Sequence, residues 1–447
     1  MNYSELKKVI ARAAAEKGIT EYEIYYTSSS ETSVGGLNKQ INSFSSGVSG
    51  GICLRVLHDG KMGYASTEFM EENEMVELVV RAVENAISTE KLDENGLFAG
   101  SESYDAPRMK EFKPVGAAEL KALALDVMDK IYASDPAVTD GTAANTISAS
   151  FTVGIANSHG LDLENRCGMN VVVAQSVVSD KGEMQESYEI ADYDEKTDIA
   201  KLAEEATKGA MAKVGAGFVE SGKYTVLLDG KEMRSLLSAF ASAFSAKNAQ
   251  MGLSLLAGKE GEVVASPAIT LTDDPMREGS AVGTPFDAEG VATHRKAVID
   301  CGVLKTLLHN RETAKKAGVE STANASKHSY SSPVGVSPYA FCIEAGEFSK
   351  DELLKKVENG IYVNSLSGLH AGANAVTGDF SIQSAGFVIR DGKIAEAVKS
   401  FTIAGNFFEL LKKIEAVGNK VEVAVTGGLT YFGSPDVIIS DVSVAGK

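Results

Sequence analysis

The sequence predicts an α+β protein of two domains, with mostly antiparallel sheets, helices packed on them and a strand-rich C-terminal domain. Three observations point there. Glycine is abundant, at 43 of 447 residues, and Gly-containing turns such as Asp59-Gly60 and Asp391-Gly392 sit between β-prone runs as hairpin turns do. The first half twice shows a helix, a set of extended segments and a second helix. The second half carries many short strand patterns and few helical ones. At roughly 100–200 residues per domain, the length allows two or three substantial cores.

Taken in order, Tyr3–Lys17 has helical spacing and stops at Gly18. Glu21–Thr27 alternates as a strand, a second extended segment follows Gly35-Gly36, and Ile52–His58 is a third, turning at Asp59-Gly60 into Met62–Thr67. Glu71–Ser88 is an amphipathic helix with the acidic first turn that a helix dipole favours. Leu92–Pro114 has two prolines and little periodicity and reads as a linker. Val115–Ala133 is helical, Thr146–Ala156, Leu161–Val178 and Met184–Ile190 are strands, and Thr197–Val214 is helical. An internal duplication (1–90 and 115–217) would give this layout, and so would chance recurrence of a common α+β arrangement. Gly215–Gly222 marks the boundary between an N-terminal domain, 1–217, and a C-terminal domain, 218–447.

Lys223–Gln250 is the stretch on which the functional reading turns. Tyr224–Leu228 is a β-prone run, Asp229 a helix cap with Glu232 in the capping-box position, and Met233, Leu236, Leu237, Phe240 and Phe244 recur at helical spacing. The slots expected to be exposed or half-exposed hold only Ser235, Ser238, Ala239, Ala241, Ser242 and Ala243, none of which ligates a metal well or acts as a base at neutral pH. Beyond it, Pro267–Thr272 is a strand, Val298–Leu308 a hairpin turning at Cys301-Gly302, Arg311–Lys316 a short helix and Ser321–Pro338 a surface loop. Tyr339–Ile343, Ile361–Leu366 and Phe380–Ile389 are strands, Asn406–Ala416 is a helix, and Val421–Val425 and Val437–Val444 are strands.

Composition narrows the function classes. Asp plus Glu is 61 against 43 Lys plus Arg, a net charge of −18 that repels nucleic acid and anionic membrane alike. No apolar run reaches the ~18 residues of a membrane span, and the N-terminal stretch lacks the apolar centre of a secretion signal. Cys53, Cys167, Cys301 and Cys342 form no C-x-x-C pair and read as reduced, small buried hydrophobes, so a cytoplasmic protein is expected. None of His58, His159, His294, His309, His328 and His370 is paired at helical metal-ligand spacing, and H-E-x-x-H is absent. No G-x-S-x-G elbow or phosphate loop appears. Carboxylates in loops remain: Asp273-Asp274, Asp287 and Glu289, and Asp379, which would hold a hard cation if they converged or cap turns if they did not.

Those loops also carry a resemblance. Pro285-Phe286-Asp287-Ala288-Glu289-Gly290-Val291, Gly302-Val303-Leu304, Thr377-Gly378-Asp379-Phe380-Ser381, Thr402-Ile403-Ala404-Gly405-Asn406, Ala416-Val417-Gly418-Asn419, Gly433-Ser434-Pro435 and Val444-Ala445-Gly446-Lys447 resemble, in order and spacing, the TldD/PmbA family over most of the chain from Lys223 onward. TldD-type members carry His-Glu-x-x-x-His on the helix after a strand and a downstream Cys, which hold zinc. The positions aligned to that motif are Ser238, Ala239 and Ala243, and Gly427–Gly433 has no Cys. The chain is therefore similar to the PmbA/TldE branch, labelled "modulator of DNA gyrase". The resemblance implies one subunit of a cytoplasmic heterodimeric zinc metallopeptidase acting on unfolded or small peptides. It implies no cofactor or catalytic residue in this chain, zinc in a TldD-like partner, and Asp287, Glu289, Asp379 and Asn406 as chamber or loop residues. A homodimer is left open for the chain alone. The competing readings are a homo-oligomeric peptide-binding protein without activity, and a peptidase with its own site around Asp287, Glu289 and His294.

Overall fold

The computed structural model describes residues 1–93, 95–106, 111–180, 182–278, 280, 283–425 and 430–447. Its N-terminal part is one six-stranded antiparallel sheet of order β3-β2-β1-β4-β5-β6. The strands are β1 (Glu21–Leu37), β2 (Gln40–His58), β3 (Lys61–Thr67), β4 (Ala143–Asn157), β5 (Asp162–Asp180) and β6 (Glu183–Asp192). The helices are α1 (Tyr3–Glu16), α2 (Glu72–Ser88), α3 (Ala117–Ser134) and α4 (Ile199–Met211). β1 pairs with β4, so the two helix–strands–helix units share one sheet.

Strand periodicity explains where the helices lie. Side chains two apart share a face, so Ile24 and Val34 of β1 point the same way. α1 and α2 pack on Ile24, Leu54 and Ala156, and α3 and α4 on Val34, Ala144, Val172 and Ala174. All four helices thus cover one face. On the other, Tyr25, Cys53 and Ile155 meet Phe286, Ala288 and Ala325 of the C-terminal part.

In the C-terminal part, β7 (Gly222–Leu228) lies parallel to strand Gly360–Ser367 and antiparallel to Val437–Ala445. Strands Asp379–Arg390 and Lys393–Asn406 follow in the sheet, and pairing of the latter with Val437–Ala445 closes five strands into a barrel. A second sheet, running from Val303–Leu304 to Glu422–Val425, faces it. Between them α5 (Gly230–Phe240) is wrapped by the largest apolar cluster.

Several expectations need correction. The segments on either side of Gly47–Gly51 are one strand, β2, because a ladder on β1 holds this Ser- and Gly-rich run extended where propensity alone would not. Gly35-Gly36 is a bulge inside β1, and the turn is Asn38-Lys39, both at positive φ. Pro267–Thr272 is strand only over Leu271–Asp273. Ser321–Pro338 is partly buried: Ala323, Asn324 and Ala325 have no solvent exposure, and Ala325–Ser326 pairs with Gly335–Val336. The helix at Asn406 spans only Phe407–Lys412 and gives way to strand Ile414–Val417. Cys301 is exposed, since it sits at a hairpin turn at φ 46° that points its side chain outward; the other three cysteines are buried and all four are unpaired. Among the described residues no helix is long and apolar enough to cross a membrane.

Candidate functional site: helix α5 and the hollows beside it

The site begins where β7 ends. Asp229 caps α5: one carboxylate oxygen accepts from the Lys231 amide (2.9 Å), and the other from the Tyr362 hydroxyl and from Lys350 Nζ (3.3 Å). The Gly230 amide donates to Asp436 (2.7 Å), Lys350 Nζ stands 3.5 Å from the second Asp436 oxygen, and the same ammonium lies 4.3 Å from the centre of the Tyr362 ring. Burial works to raise Asp229, but the charge of Lys350 and the hydrogen bonds outweigh it and hold the carboxyl below its ordinary value. Gly230 is required there, because a Cβ would stand 2.6 Å from the Ser434 carbonyl oxygen.

Glu232 does not close the capping box expected of it. Its carboxylate turns away and accepts from the Leu366 amide (3.1 Å), and burial, then the charge of Asp229, pushes it up to about 7. Met233, Leu236, Leu237 and Phe240 are fully buried, and the Phe240 ring stacks on Phe407 at 4.5 Å.

The helix ends sooner than its pattern predicts. Ala241–Phe244 tightens into a 3-10 turn and Ala246–Gln250 resumes as a short helix. The cause is tertiary: the Leu308 backbone donates to the Phe244 carbonyl and accepts from the Ala246 amide, both at 2.9 Å, so these groups leave the helical ladder. The break buries Ala241 and Ala243, which the sequence pattern places among the exposed and half-exposed slots.

What α5 presents to the hollows beside it is small and neutral. Ser238 lines two hollows. One, of about 200 Å3, is bordered by Ser242, Ser245, Pro338 and Thr430; the other, of about 420 Å3, by Ser235, Ala239, Leu369, His370 and Ala375. Serine hydroxyls can hydrogen-bond a passing peptide. Ser238, Ala239 and Ala243 do not fit a zinc ion, which needs imidazole, thiolate or carboxylate donors: alanine has none, and Ala243 has no exposed surface. Among the described residues no three His, Cys, Asp or Glu side chains gather to hold a metal. Of the Gly427–Gly433 loop, Gly427, Gly428 and Leu429 lie outside the described residues; Tyr431–Ser434 is a strand.

The loop carboxylates serve joints. Asp287 is buried and accepts from the amides of Glu289 (2.9 Å), Val291 (3.0 Å) and Ala325 (3.0 Å); burial and neighbouring Glu289 push it up to about 7 against those three donors. Glu289, also buried, accepts from the Arg311 amide (2.8 Å), and burial raises it too. His294 is exposed. Asp273 has no exposure and accepts from Tyr339 (2.8 Å) and Ala340 (2.9 Å) amides, Lys296 (3.1 Å) and Asn324 (2.7 Å). Asn406 donates to Asp379 (3.0 Å) and to the Thr377 carbonyl (2.8 Å), and caps the helix by accepting from Phe408 (3.2 Å).

Comparison with known proteins agrees with this geometry. Three family descriptions match in chain order: PmbA/TldA metallopeptidase domain 1 over residues 22–86, the central domain over 110–214 and the C-terminal domain over 221–446. Metalloprotease PmbA of Escherichia coli O157:H7 is 25% identical over 407 residues, 89% of this chain and 86% of its own. A candidate DNA gyrase modulator from Thermotoga maritima matches in structure with a TM-score of 0.88 and 30% identity, over 99% of this chain and 100% of its own. TldE from Thermococcus kodakarensis matches with a TM-score of 0.84 at 23% identity, again over 99% and 100%, which bears on the fold alone. This chain belongs to the PmbA/TldD metallopeptidase family.

Proposed function

We propose that this chain is the PmbA/TldE-type subunit of a two-chain, cytoplasmic metallopeptidase acting on unfolded or small peptides. A TldD-like partner holds the zinc, and this chain supplies wall and grip. The observation that carries the reading is α5: a helix held in place by Asp229, Lys350, Tyr362 and Asp436 which, with the 3-10 turn after it, offers only Ser235, Ser238, Ala239, Ala241 and Ser242 to the hollows. A rigid, ligand-free helix beside concave space suits positioning of an extended chain and not bond cleavage. Acting with a TldD-like chain, the Ser238→Trp variant is expected to raise KM for an unstructured peptide, since Ser238 borders both hollows and an indole there obstructs the space beside α5, and to leave the zinc content of the complex unchanged. An unaltered KM in a folded complex would remove the hollows from the substrate path.

A further inference from the structure

A cation beside the candidate site lacks an acceptor. Arg234 stands on α5 one turn before Ser238, and residues four apart share a side of a helix. It lines neither hollow, and its guanidinium lies within reach of the charges of Glu422, on strand Glu422–Val425, and of Tyr188, on β6. The residue is half-buried, and its Nε is buried with no hydrogen-bond partner. Burial pulls it below the ordinary guanidinium value, against the charges of Glu232 and Glu422.

The acids around it are committed elsewhere. Glu422 pairs with Lys420 (2.7 Å), and Glu189 of β6 pairs with Lys231 on the same helix as Arg234 (2.6 Å). Glu232 accepts from the Leu366 amide (3.1 Å) and, pushed up to about 7 by burial and then by the charge of Asp229, is only partly charged at neutral pH. Among the described residues, Glu232 and Glu422 act on Arg234 by charge and not through a hydrogen bond. A guanidinium N–H buried without an acceptor costs free energy until something supplies one, and the group that matches its planar fork is a carboxylate. The corner is open on one side, for Tyr188 is 64% exposed.

We propose that Arg234 is the anion subsite of the peptide path and takes a carboxylate of the bound peptide, a group that the neutral serines and alanines along the hollows do not select. The proposal rests on the peptide-binding reading above and narrows its substrates to peptides that place a carboxylate about 6 Å along α5 from Ser238. That carboxylate is the C-terminal one of the peptide or an acidic side chain, and the probes below separate the two.

The two-chain enzyme, this chain with a TldD-like partner, is assayed on one unstructured peptide in matched forms: C-terminal acid against C-terminal amide, and Glu against Gln at each internal position in turn. The wild type should show a KM at least about tenfold lower for the acid member of a matched pair. A difference in the first pair assigns the C-terminal carboxylate, and one in the second an acidic side chain. Arg234→Met, uncharged and still long, should erase the difference by raising the KM of the acid form. Arg234→Lys, which keeps the charge without the fork, should retain part of it. Equal KM within every pair overturns the proposal, whether or not the variants fold, and leaves the two-chain reading standing; an assembled complex that cleaves none of the peptides overturns both. A preference unchanged in a folded Arg234→Met complex also overturns it. So does loss of the partner on that substitution, because the partner would then supply the acceptor.

Discussion

Asp229 and Glu232 begin the same helix, and their surroundings drive their carboxyls in opposite directions. Asp229 has Lys350 and Tyr362 beside it and is held down against its burial; Glu232, by burial and then the charge of Asp229, is pushed up to about 7 against the pull of the Leu366 amide. A carboxyl raised in the folded state gives its full support below its unfolded value and loses it as pH rises through about 7. Glu232→Gln, which stays neutral and can still accept from Leu366, should match the wild type near pH 4 and be more stable by roughly 1–3 kcal/mol above pH 7. Denaturant unfolding at several pH values checks this; equal stabilities at pH 8 would contradict it. At this scale the sequence was half legible. Asp229 announces a cap, but its partners Lys350 and Tyr362 lie 121 and 133 residues away, and only the folded chain brings them together.

The helices were legible where their own residues decide and illegible where a distant backbone does. Helical spacing places α5 correctly through Phe240, then fails because the backbone of Leu308, an isolated bridge partner, takes the groups at Phe244 and Ala246. One element could have been found and was not: Lys350–Val357 opens with the capping box of Ser349 and Glu352, a spacing visible in the residues alone. The seat of α5 rests on its apolar face. Phe240→Ala would remove a fully buried ring stacked on Phe407, at a cost of about 3–5 kcal/mol. Thermal unfolding should register a large fall in midpoint, and a fall of only a degree or two would show that the core collapses around the gap.

Over the whole molecule, the fold class was readable because turn and periodicity signals add up along the chain, whereas the junction of its halves was not. That junction holds charged groups from both halves, and one of them, Arg311, reaches across it. Arg55 Nε donates to Glu23 (2.7 Å), Arg311 donates to the Asn95 and Gly96 carbonyls, and Asp287 gathers three amides beneath the N-terminal sheet. Asp287→Ala would strand those amides, each costing about 1–3 kcal/mol if left unsatisfied, so it should lower the unfolding midpoint sharply. A catalytic Asp287 would instead lose activity at unchanged stability.

The central claim is that this chain shapes a peptidase chamber without holding the metal. Purified alone after expression in zinc-containing medium, it should retain no stoichiometric zinc and cleave no unstructured peptide, and a TldD-like partner should bring chelator-sensitive cleavage. Tightly held zinc and chelator-sensitive cleavage by the lone chain would contradict it.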